Sequence, residues 1–415
     1  MLTAIKGFHD ILPGEVEKWQ FVETKARKIF EDFGFSEIMI PVIEKTELFT
    51  RSIGETTDVV EKEMYTFPDR KGDLITLRPE ATASIARAYI EHRLYQDKRV
   101  QKLYCIGPMF RHERPQKGRY RQFHQINVEA LGSTDPVIDA EIMAMLNHFL
   151  TETNITEIEL QINSLGCPDC RTQYREELKG FLADKSTDLC VDCQRRIQVN
   201  PLRTFDCKNQ ICRDITSMAP EILEYICTDC SKNFEDVKRN LEQLAVSYRT
   251  NPRLVRGLDY YTKTTFEVVT DKLGAQNAIA AGGRYDGLIK DLDGPDMPGL
   301  GFAIGLERLI SLISKDEDFS NAPYVFIASL GAAAKDRALQ LANRFRIMGI
   351  KTEMDYDGRS LKSQMRWAHK LNAKLVLIIG EEELALGKVI LRDMKEKRQE
   401  EVNLEKIVEE VKSRK

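Results

Sequence analysis

Between Gly107 and Glu129 the chain reads Gly-Pro-Met-Phe-Arg-His-Glu-Arg-Pro-Gln-Lys-Gly-Arg-Tyr-Arg-Gln-Phe-His-Gln-Ile-Asn-Val-Glu. Two strand-like runs flank a polar loop that holds Arg111, Arg114, Lys117, Arg119 and Arg121. Strand alternation places Phe123, Gln125, Asn127 and Glu129 on one face. A cluster of cations alone describes many solvated loops. Here it adjoins a strand face carrying Gln and Glu, and arginine forks beside such a face suit a planar anion, a carboxylate or a phosphate.

Cysteine carries the second pattern. Of nine cysteines only Cys105 stands alone. The other eight form four pairs: Cys167 with Cys170, Cys190 with Cys193, Cys207 with Cys212, and Cys227 with Cys230. Three pairs are C-x-x-C and one is C-x4-C. In a large cytosolic protein such pairs read as metal ligands or redox groups before disulfides. Two knuckles supply the four thiolates that tetrahedral zinc takes, so eight could hold two ions. Reduced thiols in a dispensable insert fit the same residues. The cluster contains no histidine, which argues against a catalytic metal.

The elements that must position these groups follow from periodicity. Glu15 to Phe33 has a helical apolar period that Gly34 stops. Phe35 to Ile40 reads as a strand ending at Pro41. Leu74–Leu77, Arg99–Ile106 and Phe123–Leu131 read as strands, and Ala81–His92 and Val137–Leu150 as helices. Residues 165–235 form a polar, Cys-rich stretch that looks inserted. Residues 236–320 return to strands and Gly-rich turns, with a bend at Pro298-Gly-Leu-Gly301 and a helix at Gly305–Ile313. A polar linker at 316–322 precedes a β-α-β-α-β rhythm: strands at Tyr324–Ser329, Lys351–Asp355 and Leu375–Gly380, helices at Ala332–Met348 and Leu361–Leu371. A hairpin and a helix at Leu404–Ser413 follow. Two domains are expected, 1–320 and 322–415, the second a small α/β unit.

Composition bounds the class. A hydrophobic share of 42% beside 30% charged residues argues against disorder. No apolar run approaches the ~18 residues of a membrane span, and the first residues lack the layout of a secretion signal. A soluble, cytoplasmic protein with no membrane partner is expected. The net charge of −4 divides unevenly: residues 322–415 carry 19 Lys and Arg against 14 Asp and Glu, a net of +5 that leaves −9 on the rest. A basic small domain suits contact with a polyanion, and ordinary surface charge fits the count equally.

The loop and its strands resemble motif 2 of class II aminoacyl-tRNA synthetases, in the form found in histidyl-tRNA synthetases. Leu77-Arg-Pro-Glu-Ala-Thr82 resembles that family's amino-acid-binding segment, with Ala81 where glycine is usual. Leu254-Val-Arg-Gly-Leu-Asp-Tyr-Tyr261 and Ala281-Gly-Gly-Arg-Tyr-Asp-Gly287 resemble its two histidine-specific motifs. Gly301-Phe-Ala-Ile-Gly-Leu-Glu-Arg308 resembles motif 3, and residues 14–41 resemble motif 1. The resemblance covers nearly the whole chain.

It implies an α+β fold: a class II antiparallel sheet with flanking helices, an inserted Cys-rich segment, and a C-terminal α/β anticodon-binding domain. The implied reaction is ATP-dependent activation of L-histidine and transfer to the 3′ end of tRNA(His), with AMP and pyrophosphate released. Charge then gathers at the α-phosphate, so cations and positioning are required and no nucleophilic side chain is. No Ser-His-Asp arrangement is found.

By resemblance Arg111 bridges the substrate carboxylate and the α-phosphate, Arg256 faces that phosphate from the other side, and Arg308 meets the γ-phosphate. Glu113 and Phe123 read and stack adenine, and Arg119 contacts the outer phosphates. Neutral imidazole offers one donor and one acceptor. Glu129 can accept from the first and Tyr261 can donate to the second. Glu80, Thr82 and Gln125 match the residues that hold the α-amino group, and Tyr260 and Tyr285 line the same pocket. Mg²⁺ is expected on the β- and γ-phosphates. Residues 282–287 lack the Gly-Lys-Ser/Thr of a Walker loop, and neither Gly-rich segment is a dinucleotide fingerprint. Gly299, Gly301 and Gly305 are expected to let the backbone approach ATP.

The resemblance further implies a homodimer built on motif 1, with the helix at 15–33 as candidate interface, an insert covering the acceptor arm, and anticodon reading by the C-terminal domain. There Trp367 and His369 are expected in the core. A different class remains as the alternative: histidine-binding regulatory subunits of the first histidine-biosynthesis enzyme, which do not aminoacylate. These generally lack the C-terminal domain and have degraded ATP and histidine motifs.

Overall fold

The computed structural model describes residues 2–54, 57–116, 118–274, 277–314, 319 and 321–415. Lys117 of the cationic loop, and 316–318 and 320 of the expected linker, lie outside them. The chain divides into two compact units, Met1–Asp318 and Phe319–Lys415.

In the larger unit the strands are Ser36–Glu37 (β1), Ile43–Lys45 (β2), Tyr65–Pro68 (β3), Leu74–Leu77 (β4), Gln101–Phe110 (β5), Gln122–Leu131 (β6), Glu159–Ser164 (β7), Arg249–Thr250 (β8), Thr262–Val269 (β9), Ala278–Arg284 (β10) and Gly299–Gly305 (β11). Eight of them form one sheet in the order β1-β5-β6-β11-β10-β9-β7-β8. Pairing is antiparallel from β5 through β7 and parallel at the two ends. This is the expected antiparallel sheet with flanking helices. The remaining strands form a small sheet, β2-β4-β3.

Period-2 alternation gives the large sheet two different faces. Along β6, Ile126 and Val128 are fully buried, and Val128 pairs with Tyr104 of β5 and Phe302 of β11. Phe30 from the helix Val16–Asp32 packs on this face, 5.4 Å from the ring of Tyr104 and 6.4 Å from that of Phe302. Phe149 of the helix Pro136–Glu152 joins it at 5.6 Å. Burying one such phenyl ring stabilises by about 1.5–3 kcal/mol. Gln125, Asn127 and Glu129 point the opposite way, toward the site.

The first helix spends its apolar stripe on this sheet: Trp19, Val22, Ala26, Ile29 and Phe30 are all buried. Exposed apolar side chains lie instead at Met39, Val42, Ile43, Phe67 and Leu74, on and beside the small sheet. Of the strand expected at 35–40, only Ser36–Glu37 is in the sheet. Strand β5 runs four residues past the expected Ile106, through Pro108. It is paired there on one side alone, where a residue without N–H is tolerated. Gly299–Gly301 is the start of β11 and not a bend.

The Cys-rich stretch is helical: Pro168–Ala183, Val191–Val199, Gln210–Ser217 and Thr228–Gln243. The last helix runs past the expected boundary at 235 because Phe234, Val237 and Leu241 keep one face buried. The stretch is also less separate than its polarity suggested. Tyr174, Leu178, Leu182, Cys193 and Ile197 share one hydrophobic core with Tyr261 and Tyr285.

In the smaller unit the strands Val325–Ser329 (β12), Thr352–Met354 (β13), Leu375–Ile379 (β14), Lys388–Asp393 (β15) and Gln399–Asn403 (β16) lie in the order β13-β12-β14-β15-β16. The first three strands are parallel, the rest antiparallel. Val325 and Ile327 face one core cluster, Phe326 and Ala328 another, so both faces of the sheet are covered. Trp367 and His369 are not core. On the helix Leu361–Lys370 the buried positions are Gln364 and Ala368, whereas Trp367 is 38% exposed and His369 is exposed. Gln364 earns the buried place by bonding both the N–H and the carbonyl of Ser329. Among the described residues no helix is long and apolar enough to cross a membrane.

Candidate active site

A cavity of about 370 Å³ opens on the polar face of the large sheet. Arg111, Glu113 and Gly118 to Tyr120 of the loop, the start of the helix Thr82–Glu91 and the segment 256–261 close its sides. One end is lined by cations. Arg111 leaves β5 with Nε donating to the Pro79 carbonyl at 2.9 Å, and its guanidinium lies 5.4 Å from the centroid of the Phe123 ring. Arg119 pairs with Glu113 at 2.9 Å across the loop. Arg308, on the helix Leu306–Leu312, donates to the carbonyls of Ala278 at 2.9 Å and Gly118 at 3.3 Å. Burial lowers its pKa, as does the nearby charge of Arg119. Its neighbour Glu307, also on the cavity wall, holds β6 by accepting from His124 N at 2.8 Å.

Arg256 comes from the opposite wall. Its Nη1 donates to Glu267 of β9 at 3.2 Å, and its guanidinium stands 5.6 Å from the centroid of the Tyr261 ring. Its Nε–H is buried without a hydrogen-bond partner. Burial acts to lower its pKa, but the tyrosines and Glu267 more than offset this, so it stays charged. A partly buried cation with a buried, unfilled donor suits an incoming anion.

The inner end carries acceptors. Both Glu80 oxygens take backbone N–H groups at the head of the helix, from Thr82 at 2.7 Å and Ala83 at 2.9 Å. Thr82 Oγ1 donates to Glu129 at 2.6 Å, and the Tyr285 hydroxyl donates to the other Glu129 oxygen. Gln125 Oε1 and Asn127 Nδ2 are buried without partners. The Tyr260 ring centroid is 4.7 Å from that of Tyr261 and 5.6 Å from that of Tyr285. Glu80, Thr82, Arg111, Glu113, Arg119, Phe123, Gln125, Arg256, Tyr260, Tyr261 and Arg308 all stand on the cavity wall. Glu129 and Tyr285 sit one layer behind, joined to it through Thr82 and Tyr260. Arg114 is exposed and off the wall. Arg121 is a strut, its Nε on the Glu113 carbonyl and its N–H on Gly7.

Two β11 glycines serve this inner layer and not a nucleotide. A Cβ at Gly301 would fall 1.7 Å from Glu129 Oε2, and one at Gly299 would fall 2.1 Å from the Tyr285 ring. Gly305 does lie on the cavity wall. Sequence reasoning missed Glu267, whose signal was a lone carboxylate in the run Thr-Phe-Glu-Val-Val, and Arg203, which reaches the wall from the Cys-rich stretch.

Burial raises Glu129 to about 8, and its two hydroxyl donors do not overcome that. Between its ordinary value near 4.5 and about 8, the folded protein therefore holds a proton that the unfolded chain has released. Glu129 then favours the folded state fully at low pH, and that contribution is lost as pH rises through this window. Urea unfolding should show Glu129→Gln losing less stability than the parent between pH 5 and pH 8, by on the order of 1 kcal/mol per pH unit. Parallel pH profiles would refute the assignment.

The eight paired cysteines gather into two tetrads: Cys167, Cys170, Cys227 and Cys230, and Cys190, Cys193, Cys207 and Cys212. Within each, all sulfurs lie within 4.8 Å of one another. All are free thiols. Backbone N–H groups of Cys193 and Cys230 pull the thiols of Cys190 and Cys227 down to about 7.

Comparison with known proteins gives a consistent picture. Residues 7–309 match the family model described as histidyl-tRNA synthetase, and residues 324–414 match an anticodon binding domain. A protein of Geobacter metallireducens named histidine–tRNA ligase is 55% identical over 405 residues, covering 98% of each chain. One of the same name from Geobacter sulfurreducens is 56% identical over 394 residues, covering 95% of each. The crystal structure of apo Staphylococcus aureus histidyl-tRNA synthetase matches with a TM-score of 0.84 at 35% identity, over 99% of this chain and all of that one.

Proposed function

The chain belongs to the histidyl-tRNA synthetase family, and on that premise we propose that the cavity of its larger unit is where histidine is activated. The protein is an ATP-dependent ligase that joins histidine to tRNA. The histidine carboxylate attacks the α-phosphorus of ATP, pyrophosphate leaves, and the adenylate passes its acyl group to a hydroxyl at the 3′ end of tRNA(His), releasing AMP. The observation that carries the site assignment is the division of one cavity into a cationic end and an acceptor-lined end. Arg111 and Arg256 approach from opposite walls, which suits an α-phosphate held between them, and Arg308 and Arg119 suit the outer phosphates. Phe123 offers a face for adenine, with Glu113 at its edge.

At the inner end, Glu80, Thr82 and the unpartnered Gln125 oxygen suit an ammonium group. Tyr260, Tyr261 and, through Thr82, Glu129 and Tyr285 suit an imidazole. A site that pairs both imidazole nitrogens rejects apolar look-alikes by leaving its own polar groups unpaired. No side chain acts as a nucleophile. Preorganised arginines supply the stabilisation where charge develops. The Glu267 carboxylate on the cavity wall is a hard oxygen donor of the kind Mg²⁺ takes beside the β- and γ-phosphates, where the ion would screen their charge.

The regulatory-subunit reading is less supported, because the anticodon-binding module at 324–414 and all the cavity cations are present. Histidine-dependent ATP–pyrophosphate exchange and charging of tRNA(His) test the proposal. Failure of exchange in the presence of histidine removes it.

In the smaller unit, Trp367 stands exposed between Arg359 and Lys370, whose cationic groups lie 5.9 and 5.1 Å from its ring centroid. An exposed indole among cations suits a stacked anticodon base. Trp367→Ala should weaken tRNA binding about 5- to 100-fold, the range of one lost base stack, and leave pyrophosphate exchange unchanged. Unaltered tRNA affinity, read by filter binding, would place the anticodon elsewhere.

The protein works as a cytoplasmic homodimer in this reading. The exposed apolar set at Met39, Val42, Ile43 and Leu74 fits a subunit interface better than the helix Val16–Asp32, whose apolar face is already buried. The two tetrads carry the donor set of structural zinc.

A further inference from the structure

We propose that each thiol tetrad holds one Zn²⁺ ion, and that the two ions together set the position of residues 256–263, the segment that carries Arg256, Tyr260 and Tyr261 into the cavity. The inference rests on reading that cavity as the histidine-activating site.

The tetrads fit tetrahedral zinc in number and spacing. A Zn–S bond of about 2.3 Å places the sulfurs of a tetrahedron about 3.8 Å apart. Cys167 and Cys170 sulfurs lie 3.4 Å apart, and those of Cys190 and Cys207 lie 3.7 Å apart. The spacing is far from the roughly 2.05 Å of a disulfide. Three C-x-x-C pairs sit at helix N-termini: Cys167 before Pro168–Ala183, Cys190 before Val191–Val199 and Cys227 before Thr228–Gln243. Each tetrad already makes an N–H to sulfur bond across its halves, Cys227 N to Cys170 Sγ at 3.0 Å and Cys190 N to Cys212 Sγ at 3.3 Å.

From each tetrad a short path leads to the cavity wall. Beside the first, Leu165 N donates to the Lys263 carbonyl at 2.7 Å, and Lys263 N donates to the Gly166 carbonyl at 2.8 Å. Arg171, one residue beyond Cys170, donates from Nη1 to the carbonyls of Tyr261 at 2.7 Å and Asp259 at 3.3 Å. The second tetrad closes the chain around Pro201–Asp206. From there Arg203 Nη2 donates to the Gly257 carbonyl at 2.7 Å and to Asp259 Oδ1 at 3.2 Å, and Asn200 donates to the same oxygen at 3.1 Å. Carbonyls 257, 259 and 261 are thus held from the metal side while the tyrosine rings face the cavity. Arg171 and Arg203 are positioning residues: Arg171 acts through Tyr260 and Tyr261, and Arg203, bonded to the Gly257 carbonyl, through Arg256.

The test uses the full-length protein purified under reducing conditions. Metal analysis should find two zinc ions per chain. Cys227→Ser and Cys190→Ser should each retain one, and cobalt replacement should give the visible bands of a tetrahedral tetrathiolate. Arg171→Met should keep both ions while raising the KM for histidine about tenfold, the scale of one lost charged hydrogen bond, with the KM for ATP within about twofold. In zinc-stripped protein the same substitution should add nothing further, because the two changes act through one path. Iron, disulfides or no metal in the tetrads would overturn the zinc sites while leaving wild-type exchange intact. Two bound zinc ions with an unchanged histidine KM in Arg171→Met would overturn the coupling, and this variant decides even if stripped protein unfolds. Absence of wild-type exchange would instead remove the activity reading beneath it.

Discussion

Arg256→Ala should lower histidine-dependent pyrophosphate exchange by about a thousandfold, while binding of histidine itself changes far less. A fixed cation at a developing phosphoryl charge is worth about 10³–10⁵ in rate where an arginine supplies it, and a single oxyanion donor about 10²–10³. Arg256 falls between these cases. It holds its charge against burial through Glu267 and the tyrosines, and its Nε–H has no hydrogen-bond partner. Those are the properties of a group preorganised for an anion that arrives later. Arg256→Lys should recover only a small part of the loss, since an ammonium restores charge but not the fork. A loss below tenfold for Arg256→Ala would remove it from the α-phosphate. Unfolding curves should accompany the kinetics, because the substitution also leaves Glu267 without its partner.

The second large effect is on stability. Arg284→Met should destabilise the larger unit by about 3–5 kcal/mol, the cost of leaving a buried charge without its partner. Arg284 and Asp139 are both fully buried and bonded through Nε to both carboxylate oxygens at 3.0 Å. Arg284 also donates to the Ser133 carbonyl at 2.8 Å and the Asp135 carbonyl at 3.1 Å, fastening the start of the helix Pro136–Glu152 to β10. Burial raises the Asp139 pKa even beside this partner, so removing Arg284 leaves a buried carboxyl group without the cation that offsets its desolvation. Replacing both, Arg284→Met with Asp139→Leu, should recover most of the loss, because a matched apolar pair carries no desolvation penalty. Urea unfolding reads both, and a single-variant cost below about 1 kcal/mol would show the pair to be dispensable. The next residue is Tyr285, whose hydroxyl meets Glu129. The ion pair therefore anchors the layer behind the inner end of the cavity, and an arginine inside the 281–287 motif has a structural task.

Much of the site was legible because its parts are local. The period of the first helix, the alternation along β6 and the cations of the loop are properties of neighbouring residues, and Arg111, Phe123 and Gln125 followed from them. Motif order placed Glu80, Arg256, Tyr261 and Arg308 around the same site. What local pattern could not supply is what each group meets. Gly299 and Gly301 read as room for a ligand, and their missing side chains instead admit Tyr285, just beyond β10, and Glu129 of β6. Trp367 and His369 are expected in the core, yet the turn of their helix presents Gln364 and Ala368 inward.

The amino-acid sequence by itself determined most element types outside the Cys-rich stretch, the order of the motifs and the paired cysteines. Element types depend on backbone preference and on periodicities of 2 and 3.6 residues, which are written along the chain, whereas the motifs rest on their resemblance to a family. Only the tertiary structure decided which thiols share a tetrad, joining Cys167 and Cys170 to Cys227 and Cys230 across the intervening helices. Only it set Arg171 and Arg203 against the carbonyls behind the tyrosines. Such pairings depend on how helices pack and on strand register, and the spacing of residues along a chain does not encode the distance between surfaces that folding brings together.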